Sequence, residues 1–302
     1  MSEQARCWID GDILPASEAR VSVFDHGFLY GDGVFEGVRF RNRTPFRLDR
    51  HLRRLRDSAA ALLIRVPLSA GQLARAVAET IAASPLDAGY LRIIITRGVG
   101  PLGIDPASCG RPGVIVIADE LDMLAESRRA EGVKVIIAST RRMTADRLDP
   151  RIKSLNYLNA ILARIEANQA GADEAILLNH AGRVAEGSAD NLFIVKDGEL
   201  KTPAVSEGAL AGITRATVLE LAGEKGMPVR ETLLTPYDLY TADECFLTGT
   251  GARLIAVREI DGRPLASCPG EAYRGLAAAY AALVAKETGA NPAPGRADRV
   301  VT

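Results

Sequence analysis

The sequence predicts a mixed α/β (α+β) chain divided into two domains, and three observations carry that expectation. Its 302 residues exceed the roughly 100–200 of one ordinary domain. Short β-branched apolar runs alternate with longer segments whose apolar residues recur every three or four positions, the signatures of strands and amphipathic helices. A polar stretch, DELDMLAESRRAEG over 119–132, separates the two halves. The expected division is a small N-terminal domain over 1–118, an interdomain linker over 119–132, and a larger C-terminal domain over 133–288. The tail 289–302, GANPAPGRADRVVT, reads as disordered.

The elements follow in order. Cys7–Ile9 and Ile13-Leu14 flank Asp10-Gly11-Asp12, a hairpin pattern. Val34–Phe40 is a second strand, turned by RNRTP into Phe46-Arg47-Leu48. Asp49 can N-cap a helix with Leu52, Leu55, Ala59 and Leu62 on one face. Ser69 and Gln72 form a capping-box pattern that opens a helix through Ala83. Tyr90–Thr96 and Val114–Ala118 are β-branched runs and read as strands. Val133–Ala138 opens the second domain as a strand. A helix over Ser154–Gln169 places Leu155, Leu158, Leu162 and Ile165 on one stripe, with Gly171 as its stop. Strands Ala175–Leu178 and Leu192–Val195 follow, the latter turning at Lys196-Asp197-Gly198. Thr214–Leu221 is a helix introduced by glycines. Cys245–Thr248 is a strand running into Gly249-Thr250-Gly251, and Glu271–Glu287 is a long alanine-rich helix.

Composition excludes several classes. Basic and acidic residues number 37 and 38, a net charge of −1, so the basic surface of a dedicated nucleic-acid binder is missing. No run of 18 apolar residues exists, and no membrane span is expected. The opening MSEQARCWIDGD has no apolar core of a secretory signal. Cys7, Cys109, Cys245 and Cys268 are scattered without a CxxC. That disfavours a zinc site or disulfide framework and fits a reducing cytoplasm. His26, His51 and His180 lack ligand spacing, so no metal is expected. Gly31-Asp-Gly33-Val-Phe-Glu36-Gly37 is not a dinucleotide fingerprint, because position 36 is glutamate and the glycines precede a strand. Walker A, GxSxG and internal repeats are absent from the sequence.

Six segments stand out together. They are Tyr30-Gly-Asp-Gly-Val-Phe-Glu-Gly-Val-Arg39, His51-Leu-Arg-Arg54-Leu55, Lys153-Ser-Leu-Asn-Tyr157, Glu186-Gly-Ser-Ala-Asp-Asn191-Leu-Phe, Gly212-Ile-Thr-Arg215 and Phe246-Leu-Thr-Gly-Thr250. In this order they resemble the class IV aminotransferases, pyridoxal-phosphate (PLP) enzymes of fold type IV. The resemblance is strongest to the branched-chain amino acid aminotransferases and runs from about residue 8 to 285. It implies a small N-terminal α/β domain and a larger C-terminal domain with a β-barrel-like core. It also implies an active site between the two that borrows residues from a partner subunit, hence at least a homodimer.

PLP chemistry needs a lysine for the imine, a partner for the pyridine nitrogen and a phosphate cradle. The lysines are Lys134, Lys153, Lys196, Lys201, Lys225 and Lys286. By pattern alone Lys153 reads as a solvated lysine at a helix start; the resemblance makes it the Schiff-base and catalytic lysine. Tyr157, four residues on, shares its face if the helix begins there; it is otherwise a core tyrosine. The resemblance puts Tyr157 at the cofactor's phenolic oxygen and Glu186 at the pyridinium nitrogen, which a carboxylate keeps protonated. Gly212-Ile213-Thr214 opens a helix whose N–H groups can face a dianion. Ile213, Thr214, Thr250 and Arg54 match the family's phosphate contacts, although Arg50, Arg53 and Arg56 are equally basic neighbours.

Strand alternation puts Phe35, Gly37 and Arg39 on one face, and Tyr90 and Arg92 on one face of theirs. With Tyr30, Thr250 and Gly251 they resemble the branched-chain substrate site, in which an aromatic wall holds an aliphatic chain. Arg92 resembles the arginine for the distal carboxylate of glutamate. Gly98-Val-Gly-Pro-Leu-Gly-Ile-Asp105 lacks the Arg-x-His of D-amino-acid transaminases. Gly251 and Ala256 depart from the alanine and proline common in the branched-chain pattern. The expected activity is transamination between L-branched-chain amino acids and 2-oxoglutarate. The alternatives are D-amino-acid or (R)-amine transamination, aminodeoxychorismate lyase activity, or a non-catalytic PLP-binding scaffold. Joint retention of Lys153 and Glu186 argues against the last.

Overall fold

Six strands form the first sheet, in the order β2-β1-β6-β5-β3-β4. They are β1 (Arg6–Ile9), β2 (Asp12–Pro15), β3 (Gly33–Arg41), β4 (Thr44–Pro45), β5 (Ala88–Thr96) and β6 (Val114–Asp119). Every neighbour pair is antiparallel, but only β1–β2 and β3–β4 are joined by hairpin turns. The computed structural model describes residues 4–121 and 130–289. One face of the sheet packs on the helices Leu48–Ala61 and Ala70–Ala83. Val34, Val38, Leu52, Leu55, Leu73, Val77, Leu91 and Ile93 make their shared core.

The capping box of the second helix is present: Gln72 N–H donates to Ser69 Oγ at 3.2 Å and Ser69 N–H to Gln72 Oε1 at 2.8 Å. The first helix begins at Leu48 instead, with Arg47 at the cap in the left-handed region (φ 53°) and no side-chain cap bond. Asp49 therefore sits in the first turn, where a carboxylate still favours the helix dipole.

The second sheet runs β12-β11-β10-β13-β14-β7-β8-β9, with β15 paired to β14. Its strands are β7 (Val133–Ile137), β8 (Glu174–Leu178), β9 (Val184–Gly187), β10 (Asn191–Lys196), β11 (Glu199–Pro203), β12 (Val229–Thr232), β13 (Glu244–Gly249), β14 (Arg253–Ile260) and β15 (Arg263–Pro264). Parallel pairs β14–β7, β7–β8 and β11–β12 mix with antiparallel ones. Both faces are covered. Leu192 and Ile194 point into one cluster. Phe193 and Val195 point into another, with the Ile213–Glu224 and Glu271–Glu287 helices. Phe193 and Phe246 face each other across β10 and β13, stacked at 5.2 Å between centroids.

The helix expected over Ser154–Gln169 spans Leu158–Gln169. Its buried face is Ala160, Ala163 and Ala167, while Leu158, Leu162 and Ile165 are exposed and Leu155 lies before it. Small residues let the helix lie close on its sheet, and the larger apolar stripe is left outward. Gly171 follows at φ +66°, the left-handed turn that stops a helix. β6 and β7 bracket the expected linker, of which 122–129 lie outside the described residues, as does the tail from 290.

Candidate active site

Lys153 is carried to the first sheet by its own backbone. β4 covers the outer edge of β3 only at Phe40 and Arg41, so the first half of that edge has backbone groups to satisfy. Residues 153–155 do so. Phe35 N–H donates to the Lys153 carbonyl and Leu155 N–H to the Gly33 carbonyl, each at 2.9 Å, with a bridge between Ser154 and Val34. Lys153 N–H donates to Ser58 Oγ at 3.2 Å. Backbone spent this way cannot start a helix, so Lys153 and Tyr157 do not share a helical face. They meet nevertheless: Lys153 Nζ donates to Tyr157 Oη at 3.2 Å and lies 4.6 Å from the Phe35 ring centroid.

Glu186 lies on β9 opposite Leu177, fully enclosed rather than in a loop. Asn191 Nδ2 and Leu210 N–H donate to its Oε2 at 3.1 and 2.9 Å, and the Arg142 guanidinium lies 2.5 Å from Oε1. Burial pushes the carboxyl up, opposed by Arg142, the Leu210 N–H and Lys153. Where ionised, such a carboxyl favours a proton on a ring nitrogen placed beside it.

Gly212 precedes the Ile213–Glu224 helix without a side-chain cap bond. The first-turn N–H groups thus have no capping acceptor, and Gly212, Ile213 and Thr214 line the cleft that Lys153 and Glu186 also line. A Cβ on Gly212 would lie 1.9 Å from Asn191 Oδ1, so only glycine lets this turn approach β10. In the same cleft, Thr248 Oγ1 is buried with no hydrogen-bond partner. An uncapped helix start, an orphaned hydroxyl, a buried acid and a lysine fit a phosphorylated pyridine aldehyde such as PLP.

Arg54 reaches the cleft from the Leu48–Ala61 helix. Its Nε and one terminal nitrogen donate to Glu36 Oε1 and Oε2 at 2.7 and 2.9 Å, and its other terminal nitrogen donates to the Ala211 carbonyl at 2.7 Å. Beside Lys153, the Phe35 ring lies edge-on to Tyr157 at 5.1 Å. Arg92 stacks over Phe35 at 4.3 Å and over Tyr90 at 5.7 Å. A Cβ on Gly37 would sit 1.7 Å from Tyr90 Oη, so glycine lets this tyrosine lie across β3. Burial raises the Tyr90 phenol, which Arg92 opposes.

The expected residues thus fall into two adjoining groups. Lys153, Tyr157, Glu186, Ile213, Thr214, Thr250 and Arg54 line one cleft, and Phe35, Gly37, Tyr90 and Arg92 form a wall beside it. Arg39 is bound to the turn at the cleft's edge: its guanidinium donates to the carbonyls of Thr250, at 2.9 Å, and of Gly251. Tyr30 stands apart, exposed, its ring edge-on to His26 at 5.0 Å and its hydroxyl accepting from Gly103 N–H at 2.9 Å. Arg142, Asn191 and Thr248 were not singled out from the sequence. Asn191 lies inside the Glu186 motif, but nothing local marks Arg142.

The amino-transferase class IV family matches residues 33–260. The chain is 49% identical over 258 residues to the putative branched-chain-amino-acid aminotransferase of Methanocaldococcus jannaschii, covering 85% of this chain and 88% of that one. It superposes on the branched-chain aminotransferase of Thermoproteus uzoniensis with norvaline at a TM-score of 0.87 and 36% identity, over 93% of this chain and 95% of that one. The PLP-bound holo form of the Thermobaculum terrenum branched-chain amino acid aminotransferase matches at a TM-score of 0.85 and 30% identity, over 93% and 94% of the two chains. This chain belongs to the class IV aminotransferases and has their mixed α/β, type IV fold.

Proposed function

We propose that the protein is a PLP-dependent transaminase that moves an amino group between L-branched-chain amino acids and 2-oxoglutarate. The observation that carries this reading is the meeting of Lys153, Glu186 and the uncapped Ile213 helix in one cleft, beside an aromatic wall crowned by Arg92. When bound, PLP supplies an electron sink for the pair left as the substrate's α-proton departs. Lys153 would hold the cofactor covalently, and once the incoming amino group has displaced it the freed Nζ would take and return that proton. Tyr157 Oη, 3.2 Å away, orients Nζ. Glu186 holds the ring-nitrogen proton, with Arg142 and Asn191 fixing its two oxygens. Arg54, Thr214, Thr250 and the Ile213 N–H hold the phosphate. Phe35 and Tyr90 receive an aliphatic side chain, Arg92 receives the distal carboxylate of glutamate, and Gly251 flanks the substrate.

The same proposal includes the division into domains at 1–118 and 133–288, supported by two sheets with separate cores. It includes a homodimer. Phe28, Tyr30, Leu102 and Ile104 form one exposed apolar group, and Leu158, Ile161, Leu162 and Ile165 form another. A second copy covering such patches fits their apolar character, and it would give Tyr30 a site in the neighbouring protomer. A reducing, cytoplasmic setting is supported by four free thiols. No helix among the described residues is long and apolar enough to cross a membrane.

The test is an amino-donor panel with 2-oxoglutarate, joined to borohydride reduction and peptide mapping. Turnover of L-leucine and a label on Lys153 are expected. Turnover of D-alanine instead would replace the substrate assignment, and a label on another lysine would overturn the site.

A further inference from the structure

Glu36, which disqualified the glycine-rich segment as a dinucleotide fingerprint, has an unusual place. It sits on β3 between Val34 and Val38, pointing into the apolar core of the first sheet, and is 0% exposed. A carboxylate in such a place persists only if its lone pairs are filled by charged or polar donors. They are filled from one helix face. Arg54 clamps both oxygens, and His51, one turn earlier, places Nδ1 2.7 Å from Oε2. Burial alone would raise the Glu36 carboxyl, but the His51 hydrogen bond and the Arg54 charge hold it at about 2. Burial lowers the His51 pKa, so the ring is neutral and its Nδ1–H donates.

The consequence for Arg54 is that its guanidinium has no freedom. One edge is fixed to Glu36, and the remaining terminal nitrogen donates to the carbonyl of Ala211, one residue before Gly212. Arg50, Arg53 and Arg56 on the same helix have no such anchor: Arg50 pairs with Glu220 at the surface, and Arg56 donates to the Leu68 carbonyl. We infer that Glu36, supported by His51, is a positioning residue for the cofactor phosphate, acting through Arg54. The inference rests on reading the cleft as the cofactor site. A carboxylate that merely tied β3 to the helix would need no arginine that crosses to the second sheet's helix start.

The test compares binding of PLP and of pyridoxal, which lacks the phosphate, to the cofactor-free full-length protein. The variants are Glu36→Gln, Arg54→Met and the double variant, and affinity is read by absorbance titration. Glu36→Gln should weaken PLP by about tenfold or more, the scale of one charge-assisted hydrogen-bond set, and leave pyridoxal unchanged. Arg54→Met should weaken PLP at least as much, and the double variant no further, since Glu36 acts through Arg54.

Unchanged PLP affinity in Glu36→Gln beside a clear loss in Arg54→Met would overturn the inference and leave the cofactor site standing. Equal losses for PLP and pyridoxal in Glu36→Gln, or additive losses in the double variant, would also overturn it. Unchanged affinity in Arg54→Met would instead remove Arg54 from the phosphate site. If Glu36→Gln does not fold, Arg54→Lys reads the same point. It keeps the charge but cannot clamp two oxygens, so a phosphate-specific loss of about tenfold supports positioning, and wild-type affinity refutes it.

Discussion

Replacing Arg92 by alanine should separate the two substrates of the proposed reaction. Arg92 stacks on Phe35 at 4.3 Å and on Tyr90 at 5.7 Å, and no ion pair engages it among the described residues. Its charge is therefore available to a substrate carboxylate. Truncating one member of a desolvated, hydrogen-bonded charge pair costs about 2–5 kcal/mol. Arg92 is only half-buried, which places the loss toward the lower end, about 2–3 kcal/mol. That corresponds to a fall of roughly 30- to 160-fold in kcat/KM for glutamate and 2-oxoglutarate. Leucine carries no distal charge and loses only what Arg92 contributes to the wall. Stacking of this kind is worth about 0.5–1 kcal/mol, a change of roughly two- to fivefold. Single-turnover measurements with each amino acid separately give the two rate constants. Equal losses for leucine and glutamate would show that Arg92 only shapes the wall, and no loss for either would remove it from the substrate site.

Glu186→Gln should keep the fold and most of the cofactor, because the proposed phosphate contacts are untouched, yet slow transamination by at least about a hundredfold, about two pKa units' worth of ring protonation; near-normal turnover would assign the ring proton to another group. Gly37→Ala places a Cβ 1.7 Å from Tyr90 Oη. Overpacking of this sort costs about 1–3 kcal/mol of stability, so the Tm should fall, and displacement of Tyr90 should lower kcat/KM for leucine; unchanged kinetics would show that Tyr90 is not part of the wall. Asp190, enclosed near Glu174 and Glu186, is raised to about 7 by burial and by those two carboxylates. Its folded pKa exceeds its unfolded value, so its contribution is fully present below the unfolded pKa and is lost as pH rises through about 7. Asp190→Asn should therefore raise the Tm of the cofactor-free protein more at pH 8 than at pH 5, and an equal shift at both would contradict that assignment.

Local pattern revealed those parts of the structure that local forces decide. Ser69 and Gln72 announced their helix because both halves of the capping box lie within one turn. The runs at 90–96 and 114–118 were legible as strands from their β-branched apolar composition, and in the structure alternate side chains enter one core. Where tertiary contacts decide, the pattern misled. Ser154–Tyr157 looked helical, yet its backbone is taken by the edge of β3, which no sequence window contains. The leucine stripe of 158–165 has helical period, but periodicity does not say which face is buried, and here the alanines are. Arg54 was indistinguishable from its arginine neighbours until Glu36, 18 residues earlier, came to face it.

The way the two sheets share the site explains why so much of it escapes local reading. The lysine's backbone is stitched to the first sheet, while the glutamate and the helix start it must face belong to the second. Several side chains tie the halves together, Arg50 and Asn42 among them, and three are central. Arg39 on β3 binds carbonyls of the 250–251 turn, Arg54 binds the Ala211 carbonyl, and Arg47 pairs with Glu220 and Glu287. Each reaches 150 or more residues along the chain, so none has a sequence-local signature. Two of the three ligate backbone carbonyls rather than side chains, so what they fix on the far side is main-chain geometry. That geometry also aims the N–H groups of the proposed phosphate turn and the 250–251 loop. A small rotation between the sheets would misalign Lys153, Glu186 and the proposed phosphate contacts together, and bonds from arginine to backbone oppose that motion directly. Lysine could not substitute at positions 39 and 54, because each arginine uses several nitrogens at once in a fixed fork. At the junction, arginine rather than lysine therefore has a structural reason: planar multidentate donors set the distances between the two halves of the proposed site.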